Sequence, residues 1–464
     1  MPDTAPVLRH IEETFAQSVA RLQDLLRFPS VGVDPRHEAD TKACARWLAD
    51  RLAEIGMEAS VRPTEGMPMV VAHDRSAPEG APHLLYYGHY DVQPADPIEL
   101  WETPPFEPTI VEGPRGPRVV ARGAVDDKGQ IMTFIEAMRA WKAVHGALPV
   151  RVTIFLEGEE EASSRSLEPF LLANRDELRA DVCVISDTGM LDVDRPAITY
   201  MLRGLAYAEV TLHGPSHDLH SGMYGGAVVN PINALCRILA ELHDDEGRVQ
   251  IPGFYDDVRE IAPEEAEAWR NIGFDEAAFL AGAGLRSSTG EAGRSVLERV
   301  WSRPTCDING IWGGYTGEGS KTIIASKASA KLSCRLVPDQ DPARIMAALK
   351  RFFAARTPAG CRLDFVDMGV GGAIRVPTDS PFLDAAKQAA HEVFGVAPVL
   401  IGCGGSIPVV AAVKRILGLD TLLVGFGLDD DRVHSPNEKF ELVCYRRGIE
   451  THAAMLGRFA DVRA

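Results

Sequence analysis

Hydrophobic residues in the first two hundred positions form two kinds of segment, which alternate along the chain. They recur every three or four residues in HEADTKACARWLADRLAEIG and GQIMTFIEAMRAWKAV, which predicts two amphipathic helices. The short runs VVAHD, HLLYYGH, VRVTIFLEG and ADVCVISD are almost continuously apolar, as is typical of buried strands. Because helices that alternate with buried strands pack on a largely parallel sheet, we expect an α/β domain.

The pattern changes near Gly204. LAYAEVTLHG and CRLDFVDMGV are typical of strands, NPINALCRILAELH and PARIMAALKRFFAAR of helices, and TIIASKASAKLSCRLVP of one or two strands. If TIIASKASAKLSCRLVP, which lies between the two helices, forms two strands, the order along the chain is β-α-β-β-α-β. This is the ferredoxin-like arrangement. Helices and strands alternate again after Val376. We therefore predict an α+β domain at residues 205–374, inserted into an α/β domain formed by residues 1–204 and 375–464.

Length and composition agree with a folded protein of at least two domains. The 464 residues are too many for one ordinary core. Residues 253–300 are acidic but carry apolar residues at helical spacing, so we expect helices there. The longest apolar runs fall far short of the ~20 residues that span a bilayer, and the N-terminus lacks the apolar region of a signal peptide.

The net charge and the cysteines indicate which binding partners and which cellular compartment to expect. The net charge of −18 argues against binding to nucleic acid or to an anionic membrane, because both need a basic surface. The eight cysteines are widely spread without a C-x-x-C pair, which indicates reduced, structural thiols. We therefore expect a cytoplasmic protein without nucleic-acid or membrane partners.

Five short segments each carry a residue that binds metal ions, in the order His, Asp, Glu, Asp, His. These residues are His89 in GHYDVQP, Asp126 in RGAVDDKG, Glu161 in LEGEEEASS, Asp187 in VCVISDTG and His434 in RVHSPNEKF. Imidazole nitrogen and carboxylate oxygen suit zinc or manganese, and five ligands exceed what one tetrahedral ion needs. The pattern predicts two metal ions that share one carboxylate.

The neighbours of these residues favour the same interpretation. Asp91 lies two residues after His89 and faces the same side, so it can accept the second ring N–H of that histidine. Glu159, Glu160 and Glu161 close a strand-like run. Three adjacent carboxylates at a strand end repel each other unless cations neutralise them, and a metal centre supplies those cations.

Each candidate also has a plainer explanation. A histidine after a strand is more often an ordinary loop residue, and consecutive glutamates usually form a solvated face. Asp126 and Asp187 would each serve equally well in a turn or at a helix start. Coincidence explains poorly why all five residues follow apolar strands, so the joint pattern favours the metal centre.

From about Leu25 to the C-terminal helix, the chain resembles a family of dizinc peptidases and deacylases. That family includes carnosinase, cytosolic nonspecific dipeptidase, glutamate carboxypeptidase, acetylornithine deacetylase and succinyl-diaminopimelate desuccinylase, and the carnosinase and nonspecific dipeptidase branch is the nearest. The segments DLHSGMYGG, GSKTIIASKASAKLSCRLVP, GGSIPV and HSPNEKF carry the resemblance. It implies a zinc-exopeptidase-like catalytic domain with an inserted lid that also forms a homodimer.

The resemblance implies two divalent ions per chain, zinc or alternatively manganese. It also makes Glu160 the general base for a water that bridges the metals, and it implies a cis peptide bond after Asp126. The register of the three glutamates rests on the resemblance, because spacing alone does not choose among them. The implied ligands are His89 and Asp187 for one ion, Glu161 and His434 for the other, and Asp126 between them.

The lid would add residues that hold the substrate. His213, His217 and His220 all lie in one polar turn, and the resemblance singles out His220 as the histidine that polarises the scissile carbonyl in a neighbouring subunit. It also implies that Arg335, which could otherwise be a surface residue of an alternating strand, binds the substrate carboxylate by paired hydrogen bonds. Thr322 is a weaker candidate from the same likeness.

The GGSIPV segment resembles the loop that receives the C-terminal carboxylate of the substrate. Its members are Gly404, Gly405 and Ser406, although Gly-Gly-Ser is also common in ordinary loops. The mammalian dipeptidases have Arg-Glu where this chain has Gly402 and Cys403, and a histidine where it has Val370. These departures bear on the identity of the substrate and leave the metal ligands intact.

We therefore expect a homodimeric dizinc exopeptidase that cleaves dipeptides with a free C-terminal carboxylate. An N-acyl-amino-acid deacylase of the same family is the alternative. A noncatalytic binding module that kept the fold is a third hypothesis, but such a scaffold would have no reason to retain costly buried carboxylates.

Overall fold

The computed structural model describes residues 3–463. It divides into two compact units, each with its own hydrophobic core. Unit 1 contains the described residues up to Tyr200, Val376–Ile401 and the residues from Ala412 onward, whereas unit 2 contains Met201–Arg375 and Gly402–Ala411.

The helices and strands follow in chain order. The helices are α1 (Ala5–Leu26), α2 (Glu38–Glu54), α3 (Lys128–His145), α4 (Leu167–Ala173), α5 (Ser221–Tyr224), α6 (Pro231–Ala240), α7 (Pro263–Arg270), α8 (Glu276–Gly282), α9 (Val296–Trp301), α10 (Pro342–Arg356), α11 (Pro381–Phe394), α12 (Pro408–Ala412) and α13 (Leu442–Phe459). The strands are β1 (Glu58–Arg62), β2 (Met69–Asp74), β3 (His83–His89), β4 (Thr109–Gly113), β5 (Gly116–Val120), β6 (Arg151–Glu157), β7 (Val182–Ile185), β8 (Ala197–Leu202), β9 (Gly204–His213), β10 (Leu219–His220), β11 (Thr305–Gly313), β12 (Ile323–Ile324), β13 (Lys327–Leu336), β14 (Arg362–Gly371), β15 (Ile374–Arg375), β16 (Val399–Cys403), β17 (Thr421–Leu423) and β18 (Lys439–Glu441).

The main sheet of unit 1 has the strand order β1-β2-β6-β3-β7-β17-β8. Its centre, β6-β3-β7-β17, is parallel, and the pairs on either side are antiparallel. The expected parallel sheet is therefore confirmed for the central strands. All four residues of β7 and six of the seven in β3 are buried, which explains why these strands are continuous apolar runs in the sequence.

Helix α3 fixes the end of β3 against the core of unit 1. Tyr86 stacks on Phe134 with ring centroids 4.0 Å apart, and Trp141 Nε1 donates to the carbonyl of Ala453 in α13 at 2.9 Å. A Cβ at Gly88 would lie 2.6 Å from Ile131 Cγ1, closer than such atoms normally approach, so glycine permits this packing. The carboxyl end of β3 therefore lies directly beside the start of α3.

Unit 2 has the predicted β-α-β-β-α-β order, formed by β9, α6, β11, β13, α10 and β14. The four strands form an antiparallel sheet in the order β11-β13-β9-β14. Alternate residues of β9 are buried in the core that includes residues of α6 and α10. The α+β class expected for this part of the chain is confirmed.

One strand of unit 2 differs from the prediction. The run TIIASKASAKLSCRLVP forms the two-residue β12 and the long β13, and the second strand of the motif is β11, which the hydrophobic pattern did not indicate. A register shift between Ile308 and Gly310 interrupts β11, so its inward and outward positions do not alternate regularly. The helices expected in residues 253–300 are confirmed as α7, α8 and the start of α9.

The boundary between the units also differs from the expected one. Gly402–Ala411, which was assigned to the α/β domain, groups with unit 2. Arg203 explains this grouping, because its backbone N–H donates to the carbonyl of Cys403 at 3.3 Å and its Nε donates to that of Gly404 at 3.1 Å.

The structure also describes the state of the cysteines and the character of the helices. All eight cysteines are free thiols, five of them buried. No helix within residues 3–463 has the length and apolar character needed to cross a bilayer.

Candidate active site

The predicted metal ligands form two groups that share Asp126. In each group, one ligand atom from every member lies within 4.8 Å of the others. Parallel strands β3, β6 and β7 are neighbours in the sheet, so their carboxyl ends meet at one edge and bring the residues that follow them together. The groups are His89, Asp126 and Asp187, and Asp126, Glu161 and His434.

The two carboxylate oxygens of Asp126 face different groups. Oδ1 lies 3.1 Å from His89 Nε2, whereas Oδ2 lies 2.9 Å from His434 Nε2. The same His434 nitrogen lies 3.1 Å from Glu161 Oε1. A carboxylate that presents one oxygen to each of two ligand groups has the arrangement needed to bridge two cations.

A metal ion fits the chemistry of the donors. His89 Nε2 is buried and has no hydrogen-bond partner of good geometry in the described part of the chain, which is the state of a ring nitrogen whose partner would be a metal. The other ring nitrogen, Nδ1, lies 3.1 Å from the main-chain carbonyl of Asp91. Donation of Nδ1–H to that oxygen would leave Nε2 unprotonated and able to ligate.

Burial and neighbouring charges shift the pKa values of the clustered carboxylates. Burial raises the pKa of Asp187 to about 7, and the charges of Asp126 and Glu161 act in the same direction. Burial also acts to raise the pKa of Asp126, but the nearby rings of His434 and His89 outweigh that effect and hold this pKa well below its ordinary value. Cations would replace these protons and relieve the repulsion, so the electrostatics favour metal binding.

Glu159, Glu160 and Glu161 have three different environments. The carboxylate of Glu159 accepts the backbone N–H of Ser166 at 3.2 Å, and Glu161 belongs to a ligand group. Burial raises the pKa of Glu160 to about 9, and the charge of Asp187 also raises it. Glu160 therefore lies close enough to the candidate ligands to respond to their charges.

Asp91 connects the histidine ligand with the glutamates. Its carboxylate accepts the backbone N–H of Glu160 at 3.2 Å and that of Glu161 at 3.0 Å. The carboxylate Oδ1 lies 3.5 Å from His89 Nδ1, farther than the carbonyl oxygen of Asp91 itself. The two-residue spacing predicted that the Asp91 side chain accepts the ring N–H, whereas the nearer acceptor is the main-chain carbonyl. The anchoring of the glutamate turn was not predicted. The peptide bond between Asp126 and Asp127 is cis, as expected.

The predicted carboxylate-binding residues lie together in unit 2. Arg335 Nη1 donates to Ser406 Oγ at 3.3 Å, and Ser406 Oγ donates to the main-chain carbonyl of Arg203 at 2.5 Å. Burial and the positive charge of Arg335 lower the pKa of Arg203 to about 10. The loop from Gly404 through Gly405 to Ser406 is thus placed beside two guanidinium groups.

Arg203 was not among the predicted site residues. Besides its bond to Gly404, its Nη1 donates to the carbonyl of Arg299 at 3.4 Å, and a Cβ on Gly404 would lie 3.0 Å from its Nη2. Arg203 therefore shapes the loop and leaves little room for a side chain at its first position. The only sequence signal is an arginine between two apolar strands, which also describes many surface residues.

His220 and Thr322 lie side by side in unit 2. His220 pairs with Ile323 between β10 and β12, and the carbonyl of Thr322 accepts the backbone N–H of Ser221 at 3.0 Å. The Nδ1 atom of His220 accepts the N–H of Gly222 at 3.0 Å. Because that nitrogen is an acceptor, the neutral ring carries its proton on Nε2 and can donate it to a carbonyl oxygen.

Comparisons with known proteins add to this geometry. The sequence profile of peptidase family M20/M25/M40 matches residues 85–458. The Cys-Gly metallodipeptidase DUG1 of Saccharomyces cerevisiae is 30% identical over 98% of this chain and 98% of its own length. The Beta-Ala-His dipeptidase of Homo sapiens is 30% identical over 97% of this chain and 88% of its own. The structure of an M20 family metallo-carboxypeptidase from Sulfolobus solfataricus superposes with a TM-score of 0.84 and 32% identity, covering 96% of this chain and 99% of that one.

Proposed function

We propose, on the premise that this chain belongs to peptidase family M20/M25/M40, that it hydrolyses dipeptides with a free C-terminal carboxylate. Two ligand groups that share Asp126, with Glu160 beside them, carry this proposal. The two relatives named as dipeptidases align over nearly the whole chain, which favours short peptides as substrates. The chain is therefore a metallopeptidase, and the dipeptide with its free carboxylate is its proposed substrate.

The metal centre and Glu160 would divide the chemistry between them. Two divalent ions, zinc or alternatively manganese, would be held by the two ligand groups and would supply Lewis acidity to the substrate carbonyl and to water. Glu160 would take a proton from the attacking water at its carboxylate and deliver it to the leaving amine. Asp91 would keep Glu160 in position through the backbone N–H that it accepts.

Residues of unit 2 would contact the C-terminal carboxylate and the scissile carbonyl of the substrate. Arg335 supplies N–H groups and positive charge that suit a carboxylate, and its bond to Ser406 places it beside the loop of Gly404, Gly405 and Ser406. His220 would donate its Nε2 proton to the scissile carbonyl, and Thr322 lies beside it. Specificity for a free C-terminus follows from this assignment.

A substrate panel on protein supplied with excess zinc tests the function. We expect turnover of dipeptides. Amidation of the C-terminus of a good dipeptide should raise KM or abolish turnover, because it removes the negative charge that Arg335 would bind. Arg335→Ala should remove most of that discrimination. Initial rates for matched free and amidated peptides measure both effects.

Three results on this panel would change the assignment. Equal turnover of the free and amidated forms would show that the carboxylate site lies elsewhere. Faster turnover of N-acetyl amino acids than of dipeptides would replace the dipeptidase with a deacylase. Arg151→Ala is a matched control, because this exposed arginine at the start of β6 contacts none of the proposed substrate residues and should leave the discrimination unchanged.

We further propose that the protein is a homodimer joined through unit 2. Both edge strands of its sheet carry exposed apolar side chains, which are Val366, Met368 and Val370 on β14 and Ile308, Ile311 and Trp312 on β11. Such side chains at open sheet edges are typical of a surface that another chain covers. His220 is exposed on the same unit, as a residue that serves a partner's site would need to be.

Subunit mixing tests whether His220 acts in the partner's site. His220→Ala and Glu160→Gln homodimers should both be nearly inactive, because every site lacks one part. In a mixed dimer, the site with intact Glu160 receives an intact His220 from the other chain. Random exchange of equal amounts makes about half of the dimers mixed, each with one complete site, so activity should return to roughly a quarter of wild type.

The control for this experiment is a demonstration that the subunits exchange. Differently tagged chains that copurify after mixing would provide it. Exchange without recovery of activity would contradict the shared site, because a histidine that served its own subunit would leave no complete site in any dimer.

We also propose that the protein is located in the cytoplasm. Eight free thiols, most of them buried, suit a reducing compartment, because exported proteins of this size commonly oxidise such cysteines. The acidic net charge of −18 suits a protein whose partner is a small peptide and not a nucleic acid or an anionic membrane.

A further inference from the structure

Glu438 is a fully buried acid that lies outside both ligand groups. Its Oε2 accepts from Arg122 Nη1 at 2.8 Å and from the backbone N–H of Gly123 at 2.9 Å. Its Oε1 accepts the backbone N–H of Val125 at 3.0 Å and that of Asp126 at 3.1 Å. One carboxylate thus binds four donors, three of them backbone groups of the segment that ends in the shared ligand.

The surrounding structure fixes Glu438 in this position. Glu438 directly precedes β18, which pairs with β5 so that Lys439 lies opposite Val120. The pairing continues beyond the strands, because the N–H of Ala121 donates to the main-chain carbonyl of Glu438 at 3.1 Å. The side chain of Glu438 therefore reaches the loop that follows β5 along a direction set by the sheet.

The same residue also connects two ligands that are far apart in the sequence. His434 lies four residues before Glu438, and its Nε2 is 2.9 Å from Asp126 Oδ2. The segment that supplies His434 therefore holds the backbone of Asp126 as well. A shift of Asp126 would disturb both ligand groups, because both contain it.

We infer that Glu438 is a positioning residue for the metal centre, which holds Asp126 where it can serve both ions. The carboxylate offers enough lone pairs for four donors, and its negative charge strengthens each bond. The amide of glutamine has the same shape but only one acceptor oxygen, and its NH₂ group would face donors. Glu438→Gln would therefore leave at least two of the four donors without an acceptor.

Zinc affinity measured by competition with a chelator tests the inference. For Glu438→Gln we expect affinity to fall roughly 10- to 100-fold, the range for loss of a partner that orients a ligand. Both ions should weaken together, since Asp126 belongs to both groups. Excess zinc should restore kcat, because the loop would be displaced only in the metal-poor state.

Glu441→Gln is the matched control. Glu441 is also buried and lies three residues further on, but its carboxylate accepts from Lys439 Nζ at 3.0 Å and contacts neither ligand group. This variant should retain the zinc affinity and the kcat of the wild type, even if both variants lower the midpoint of thermal unfolding of the metal-free protein.

The outcomes separate this inference from the proposed function, on whose metal centre it rests. Wild-type zinc affinity in Glu438→Gln, an equal loss in Glu441→Gln, or a loss confined to one ion would overturn the positioning role. A wild-type protein that binds no zinc through Asp126 would overturn the proposed function itself. If Glu438→Gln fails to fold, Glu438→Asp serves instead, because it keeps the charge but is too short to reach all four donors, and its zinc affinity should fall between those of the wild type and of Asp126→Ala.

Discussion

Replacing Glu160 with glutamine should lower kcat by at least about 10²-fold while both metal ions stay bound. Glutamine has the size of glutamate but cannot accept a proton from water at neutral pH. The neighbouring backbone should not move, since the N–H of residue 160 still donates to Asp91. Steady-state kinetics together with elemental analysis of the same protein sample check both parts of this prediction.

Glu161→Gln is the matched control for that variant, because it makes the same change one residue later. Glu161 belongs to a ligand group, so its loss should weaken metal retention, and excess metal should recover part of the activity. The reverse pattern, with metal loss in Glu160→Gln and intact metals in Glu161→Gln, would show that the roles of the two glutamates are exchanged.

Asp126→Ala should lose most of both metal ions and, with them, nearly all activity. The reason is that Asp126 is the one residue common to both ligand groups, so its removal would leave each group with two candidate ligands in place of three. The wild type should contain about two divalent ions per chain, as dinuclear hydrolases do. Elemental analysis after gel filtration in metal-free buffer measures the loss.

Asp187→Ala provides the comparison, since Asp187 belongs to only one group. It should weaken one ion more than the other. Fully active wild-type protein with a single tightly held ion would rule out the dinuclear centre.

Part of the site could be predicted because several of its residues end or closely follow buried strands, whereas Asp126 and His434 lie in loops farther from a strand end. Buried parallel strands leave continuous hydrophobic runs in the sequence, and the residues after them gather at one edge of the sheet. His89 and Asp187 are of this kind. Spacing could not choose between Glu160 and Glu161, because neighbouring residues at the end of the same strand have the same hydrophobic context; the resemblance to a family supplied that choice.

The unpredicted features depend on hydrogen bonds to the backbone. Arg203 and Glu438 bind main-chain groups of distant segments, and such partners leave no pattern in the side chains. The assignment of Gly402–Ala411 to unit 2 has the same origin, because the bonds of Arg203 hold that segment. Strand β11 was missed for a local reason, which is the register shift after Ile308 that interrupts its alternation.

The shared anchor of Glu160 and Glu161 limits how this enzyme can be redesigned. Both backbone N–H groups donate to the single carboxylate of Asp91, so any change that moves the turn to accommodate a larger ion also moves Glu160, the proposed base. Metal selectivity and proton transfer are therefore coupled traits when mutations fall in this turn. Laboratory evolution toward a different metal has more freedom at His434, because it lies on a separate loop and is half exposed.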